Sequence, residues 1–509
     1  MKKLFILILL SLSFTSHAKL LQIIHTNDLH SYFEGHVDGK GGYARLKAKL
    51  DDLKAQAESQ GIATLILDGG DFGEGTSYFL ADSGANSVRA LGILGTEASV
   101  VGNHDYMMGG FVLAQQIRRA NVATNILSAN LVQTPDMDMG DLVKPYADFT
   151  KDGIKIRVIG LSTAEPQYQY ALAPGYILEP AIIGNIEAKK AKSAGKDLVI
   201  ALTHIGSYYD KLLVKSSSDI DLVVGGHDHL RLDQAMLIQN KNKKIVPIVQ
   251  ASSHGLVIGS LLIDVKAGGV VEVKEYTLHD IAPPMQENQQ MRDLINHTHE
   301  QRNEMFNGRF DEVIGSTEIK LSGYENGHPV IRNTCWGRHM AKISTEATGA
   351  DLGAHLAFFE GETIEPGPVT FGNIIDNFPH IKRLGDPGWE ISSFETDGKT
   401  LKILLRSIIA IKKQFGFSFY GVDYKSIQMP EKFPYIGGYT YAFHFKIHGK
   451  SIENKSKYRM AFPREIADAV KVLLPKKAQD IFPKLENSGK FFWPLMEEYI
   501  KKNSPIKCL

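Results

Sequence analysis

The chain has 509 residues, 43% of them hydrophobic and 22% charged, and its acidic and basic side chains balance to a formal net charge of zero. That length exceeds one compact domain and predicts two. The charge balance excludes a polyanion-binding surface, because contact with a nucleic-acid polymer leaves a basic excess, but it leaves room for a small anion held by a local site.

At the N-terminus, Lys2 and Lys3 precede the apolar run LFILILLSLSF, and Ser16-His17-Ala18 supplies the small residues of a cleavage point. The run is shorter than the roughly 20 residues that cross a bilayer. Residues 1–18 therefore read as a cleavable export signal, with cleavage near Ala18. The mature chain would be periplasmic or secreted, with no stable membrane insertion after cleavage.

The next stretch repeats one pattern five times, an apolar run followed by a polar cluster. LLQIIHTNDLH ends on Asp28 and His30, TLILDGGDF reaches Asp71, and EASVVGNHD reaches Asn103, His104 and Asp105. DLVIALTHIG reaches His204, and DLVVGGHDH ends on His227 and His229. Helix-like segments such as YARLKAKLDDLKAQAESQ lie between, which predicts a layered α/β core. Later runs, IVPIVQAS, VIGSLLIDV and VVEVKEYTL, make the sheets mixed. Pro283-Pro284 closes this domain, residues 19–283, and a polar helix-compatible stretch, residues 284–308, follows as a linker. Residues 309–509 differ in texture: helix-like WGRHMAKISTEATG and KTLKILLRSIIAIKKQFG, then the aromatic strand FPYIGGYTYAFHFKIHG, predict a second, α+β domain. Cys335 and Cys508 are too few for a disulfide framework, and the sequence does not decide whether they pair.

In an α/β sheet, loops leaving the carboxyl ends of the strands gather at one edge, where ligands bind. If the five runs are neighbours, their carboxylates, imidazoles and amide converge into a donor set suited to divalent zinc, manganese, iron or cobalt. Two such ions need a shared carboxylate, and Asp71, isolated after two glycines, is the natural bridge. Each cluster alone is weak evidence, since Asp28-Leu29-His30 reads equally well as a capped turn and His204 as a structural histidine. Five in this order are harder to dismiss.

The ordered set NDLH, GGD, GNHD, THIG and GGHDH resembles the calcineurin-like metallophosphoesterases, and HTNDLHSYFEG, GGYARL and the C-terminal half resemble the secreted bacterial 5′-nucleotidase family. The resemblance implies a four-layer metallophosphoesterase-type mixed β-sandwich flanked by helices, with a second α+β domain. It implies two divalent ions, the first on Asp28, His30, Asp71 and His229, the second on Asp71, Asn103, His204 and His227. His104 would act beside the scissile phosphate, and Asp105, the acid directly after it in this chain, is read as a second catalytic residue. The implied reaction is hydrolysis of a small phosphate ester, a nucleotide or related compound, by in-line attack of a metal-bound hydroxide. Alternatives are a 2′,3′-cyclic-nucleotide or other phosphodiesterase and, in another class, a metal-retaining exported binding protein with weak catalysis.

Three departures from the family pattern stand out. The family places an acid two positions after the GNHE motif as partner of the catalytic histidine, whereas this chain has Met107, a poor acceptor. That leaves His104 without its usual partner. Where the family has an arginine-bearing glycine loop, LAFFEGETIEPG carries Glu360, Glu362 and Glu365, and the nucleotide loop is replaced by YRMAFPREIADAV. Phe358, Phe359, Tyr439 and Tyr441 could stack on a base but read more simply as core. Arg332, Arg338, His297 and His299 read as surface residues, and His254 as surface or a neighbour of the site.

Overall fold

The first strand, Leu20–Thr26, is a nearly continuous apolar run, as a strand buried on both faces is. Leu21 and Ile23 face a second sheet, while Ile24 faces a helical layer. The structure, a computed structural model, describes residues 19–325, 328–329, 333–383, 385–410, 416–429 and 439–509. The export signal, residues 1–18, lies outside them.

Leu20–Thr26 pairs in parallel with Ala63–Asp68, which continues in parallel through Ala98–Val100 and Asn125–Leu127 to Val143–Lys144. On its other side it runs antiparallel to Val257–Val265, and Val271–Asp280 completes a seven-stranded sheet. A six-stranded sheet faces it, centred on Leu198–His204 between parallel Ile154–Ser162 and Leu222–Val224. Between the sheets Leu21, Ile23, Leu65, Leu67, Val158, Leu198, Ile200 and Leu202 are fully buried. Helix Tyr43–Ser59 covers the first sheet with Tyr43, Leu46, Leu50, Leu53 and Ala57, the spacing of one helical face. Helices Pro180–Ser193 and Ser207–Ser216 cover the second. The result is the four-layer helix–sheet–sheet–helix arrangement with mixed sheets.

Register matters here because it aligns strand ends. Thr26 pairs with Asp68, and Asp68 with Ser99. The buried Asp68 carboxylate then accepts from Thr26 Oγ1 at 2.7 Å, Ser99 Oγ at 2.8 Å and the Gly70 N–H at 3.0 Å. One side chain pins the ends of three strands, and burial pushes its pKa up to about 6.

Helix Gln289–Met305, capped by Asn288, lies within the stretch read as a linker, but it is packed rather than solvated. Met291 and Ile295 are fully buried in the first domain's helical core, each worth about 2–3 kcal/mol of apolar burial. His297 is exposed, whereas half-buried His299 bonds to Arg302 and Asn303. The second domain is built on a five-stranded sheet in the order Phe417–Tyr420, Leu352–Leu356, Lys457–Pro463, Glu390–Asp397 and Glu486–Phe491. Its core holds Trp336, Trp389, Phe378 and Phe394, and it extends into the first domain through Phe79 and Leu80. Cys335 and Cys508 form a disulfide, closing the C-terminus onto helix Cys335–Thr348.

Candidate metal centre

Both sheets of the first domain deliver their carboxyl ends to one pocket, and the loops there are laced together by backbone. The Asp28 N–H donates to Gly70 O and the His30 N–H to Asp71 O, each at 2.8 Å. A Cβ on Gly102 would lie 2.1 Å from Asp71 Oδ1, so only glycine lets the third loop approach. Asp28, His30, Asp71, His227 and His229 all have positive φ, between 48° and 88°. Non-glycine residues hold such backbone only where the surroundings enforce it.

The side chains point to a common centre. Asp71 Oδ2 lies 3.0 Å from His204 Nε2 and 3.6 Å from His30 Nε2. His229 Nε2 lies 3.4 Å from Asp28 Oδ1 and 3.1 Å from His30 Nε2. Asp28, His30 and Asp71 form one set whose ligand atoms lie within 4.8 Å of one another, and Asp71, His204 and His227 form a second. Asp71 belongs to both. His30, His229 and His254 form a third set, with His254 stacked on Tyr32 at 3.9 Å.

Partners outside this centre fix how each ring presents itself. His30 Nδ1 donates to Glu74 O at 2.6 Å and His204 Nδ1 to Gly69 O at 2.7 Å, leaving each Nε2 lone pair facing inward. His227 is held the other way round: Nε2 meets Glu165 Oε2 at 2.7 Å, so Nδ1 faces inward. Such carboxylate and carbonyl partners are what metal-binding imidazoles use to fix tautomer and orientation.

Among the described residues, Asn103 Oδ1 and His227 Nδ1 are buried here without a hydrogen-bond partner, and His204 Nε2 has only the Asp71 carboxylate, 3.0 Å away. Orphaned buried acceptors are costly unless something satisfies them. Burial opposes charge on His204, but Asp71 holds its pKa up to about 10, so this ring carries a proton where a cation would otherwise sit. The donor set fits a dinuclear divalent centre with Asp71 shared.

His104 enters from a single 3-10 turn, His104–Tyr106, after strand Ala98–Val100. Its N–H donates to Asp71 Oδ1 at 2.8 Å, and its Nδ1 meets Glu74 Oε2 at 3.2 Å. The imidazole therefore has a carboxylate partner, which the sequence comparison at Met107 did not supply. Burial opposes its charge, but Asp71 and Glu74 hold its pKa up to about 9. Cations on Asp71 would cancel that residue's share and leave Glu74 as the group that sustains the imidazolium.

Asp105 does not face His104's ring. Its carboxylate accepts the N–H groups of Gly102, Gly73 and Asp71 at 2.7, 2.8 and 3.1 Å, bracing the loops from below. Met107 is buried in the seam between the domains against Tyr168, Tyr170, Leu356, Phe359 and Leu473, where only about 10 Å3 remains open. Helix Arg464–Leu473 supplies one wall of that seam through Ala469 and Leu473.

The second-domain acids each face an imidazole or an ammonium group, but neither Glu360 oxygen nor Glu362 Oε1 completes a hydrogen bond among the described residues. Glu362 Oε1 lies 3.2 Å from His36 Nδ1, Glu360 Oε1 lies 3.2 Å from buried His355 Nε2, and Glu365 lies 3.0 Å from Lys320. Phe359 is buried, in keeping with the core reading, whereas Tyr441 is 42% exposed, against it, and stacks on Phe443. The side chains of Phe358, Tyr439 and Arg332 lie outside the described residues. Glu74, Glu165 and His380 are the site residues that sequence reasoning missed, since each is recognised only by what it touches.

Residues 21–231 match the model of the calcineurin-like phosphoesterase family. Protein UshA of Yersinia enterocolitica is 25% identical over 539 residues, covering 96% of this chain and 92% of that protein. The trifunctional nucleotide phosphoesterase protein YfkN of Bacillus subtilis is 24% identical over 394 residues, 70% of this chain but only 26% of that much longer relative. Among solved structures, the 5′-nucleotidase precursor of Thermus thermophilus superposes with a TM-score of 0.82 at 21% identity, covering 96% of this chain and 98% of that one.

Proposed function

We propose that this chain, whose residues 21–231 match the calcineurin-like phosphoesterase family, is a 5′-nucleotidase-type member of it and removes phosphate from nucleotides or closely related small monoesters. The observation that carries this reading is the convergence of unpartnered donor atoms around Asp71, with His104 alongside.

On this reading Asp28, His30, Asp71 and His229 hold one divalent ion, and Asp71, Asn103, His204 and His227 hold the other. Such a pair supplies an acidified water and a clamp for phosphoryl oxygens. The protein contributes two carboxylates, Asp28 and Asp71, so two divalent ions leave the centre with an excess of about two positive charges. That excess matches a phosphate monoester dianion better than a diester monoanion.

His104 does the proton work. Nδ1 is committed to Glu74, which leaves Nε2 to donate, first as a hydrogen bond to a phosphoryl oxygen and then as a proton to the leaving alkoxide. No covalent intermediate is required. The names of the relatives support a nucleotide substrate, with the nucleoside as leaving group. The family's arginine-bearing glycine loop and its nucleotide loop are both replaced here, so the base is where this enzyme should differ most. The N-terminal signal, residues 1–18, supports export, and the Cys335–Cys508 bridge is in keeping with an oxidising compartment.

The test is metal analysis of the mature chain together with a panel of nucleoside 5′-monophosphates, an aryl monoester and a cyclic diester, with and without chelator. Two ions per chain and chelator-sensitive monoester turnover are expected. Two ions without turnover on any ester would replace this reading with a binding protein, and turnover of the diester alone would replace it with a phosphodiesterase.

A further inference from the structure

The loop Phe72-Gly73-Glu74-Gly75 is pressed between two elements of the site. A Cβ on Gly75 would lie 2.4 Å from His30 O, and one on Gly73 would lie 3.1 Å from Asp105 Oδ1. Glu74, 1% exposed, is therefore held in place by its own flanks. Its three oxygens go to three histidines. The backbone carbonyl takes His30 Nδ1 at 2.6 Å, Oε2 meets His104 Nδ1 at 3.2 Å, and Oε1 meets Nδ1 of His380, from the second domain, at 2.9 Å.

His380 is itself fixed. Its Nε2 faces Phe359 O at 2.8 Å, and its ring stacks on Trp389 at 4.8 Å with the edges of Phe359 and Phe378 against it. A carboxylate this buried needs donors on both oxygens, and here one donor comes from each domain.

We infer that Glu74 is the positioning residue for His104, supplying from the second metal loop the acid that the sequence lacks at position 107, and that His380 makes this positioning depend on the docked second domain. The inference rests on the phosphoesterase reading above. Glu74 does not touch substrate on this view. It commits His104 Nδ1 and so aims Nε2 at the leaving oxygen, while His380 keeps the carboxylate from rotating away.

A residue that only filled space would behave differently, which sets the experiment. Glu74→Gln keeps the volume, and His30 is untouched in any Glu74 variant because its partner is the backbone carbonyl. Metal content is therefore expected to stay at the wild-type value. With a nucleoside 5′-monophosphate, whose leaving alkoxide needs a proton, kcat should fall on the order of 100-fold with KM nearly unchanged. With 4-nitrophenyl phosphate, whose leaving group needs none, the fall should be about tenfold smaller. His380→Gln should reproduce the same pattern in weaker form.

A second readout does not depend on turnover. In chelator-stripped protein the His104 Nδ1 proton should give a downfield imidazole resonance, assigned by its loss in His104→Asn. It should be absent in Glu74→Ala, provided that variant's melting curve shows it folded. Equal losses on both esters, or persistence of the resonance in Glu74→Ala, overturns the inference. If the wild type hydrolyses neither ester, the phosphoesterase reading fails, and the resonance alone then decides whether Glu74 holds His104.

Discussion

Glu465 is the second residue of helix Arg464–Leu473 in the seam between the domains, 5% exposed and with Oε2 lacking a hydrogen-bond partner among the described residues. Burial raises its pKa from 4.5 to about 7, against the pull of Lys382. The folded protein therefore holds a proton that the unfolded chain releases, and between those two values stability falls as pH rises. Above the window the full penalty applies, roughly 3 kcal/mol at about 1.36 kcal/mol for each pH unit between the two values. Below the unfolded value both states are protonated and the penalty vanishes. Glu465→Gln removes the titration. A buried glutamine carries its own cost, about 1–3 kcal/mol, but that cost is the same at every pH. Urea denaturation of wild type and variant at pH 4 and pH 8 separates the two effects, with the variant gaining roughly 3 kcal/mol relative to wild type between the lower and the upper pH. A difference between the two proteins that does not change with pH would refute the argument that this carboxyl is neutral in the folded state.

Asp71→Asn removes the shared carboxylate and should lower metal occupancy and abolish turnover together, measured by metal analysis beside a phosphate-release assay; full activity would contradict the bridging assignment. Glu165→Ala frees the His227 ring and should weaken one of the two ions by about 10- to 100-fold while sparing the other, seen as one displaced phase in a chelator competition. Met107→Asp should not raise monoesterase activity, because the position is buried among Tyr170, Phe359 and Leu473; a lower melting temperature with no gain in kcat is expected. The double variant Cys335→Ser, Cys508→Ser opens a loop of 173 residues and should lose about 2–5 kcal/mol of second-domain stability in denaturant titration.

The side chains that converge around Asp71 were legible as a cluster in the sequence because they follow strand ends, and an apolar run that stops at Asp28, Asn103 or His204 announces both strand and edge. The same alternation implied a layered α/β core, and the number of layers came from the family resemblance. What was not legible depends on long-range contact. Glu74 reads as an ordinary loop acid between glycines, and its partner His380 lies 306 positions away. Likewise Glu165 is tied to His227 across 62 positions, with no motif around it. Position 107 was misleading in a more instructive way. Its methionine marked the loss of one acid correctly, but the compensating acid arrives from another loop, which no local comparison reveals. The polar helix Gln289–Met305 was read as a connector because polar residues dominate its count, yet Met291 and Ile295 recur on one face and anchor it.

The left-handed backbone at Asp28, His30, Asp71, His227 and His229 has a consequence for anyone who would dismantle the pocket. Alanine at these positions discards the donor while keeping a torsion that a Cβ disfavours, whereas glycine discards the donor and relaxes the torsion as well. Ion-free alanine and glycine versions of one position should thus differ in melting temperature, glycine being the hardier wherever local strain outweighs the extra freedom of the denatured chain. The shape that lets five side chains look inward is a cost borne by the scaffold even when nothing occupies the cleft.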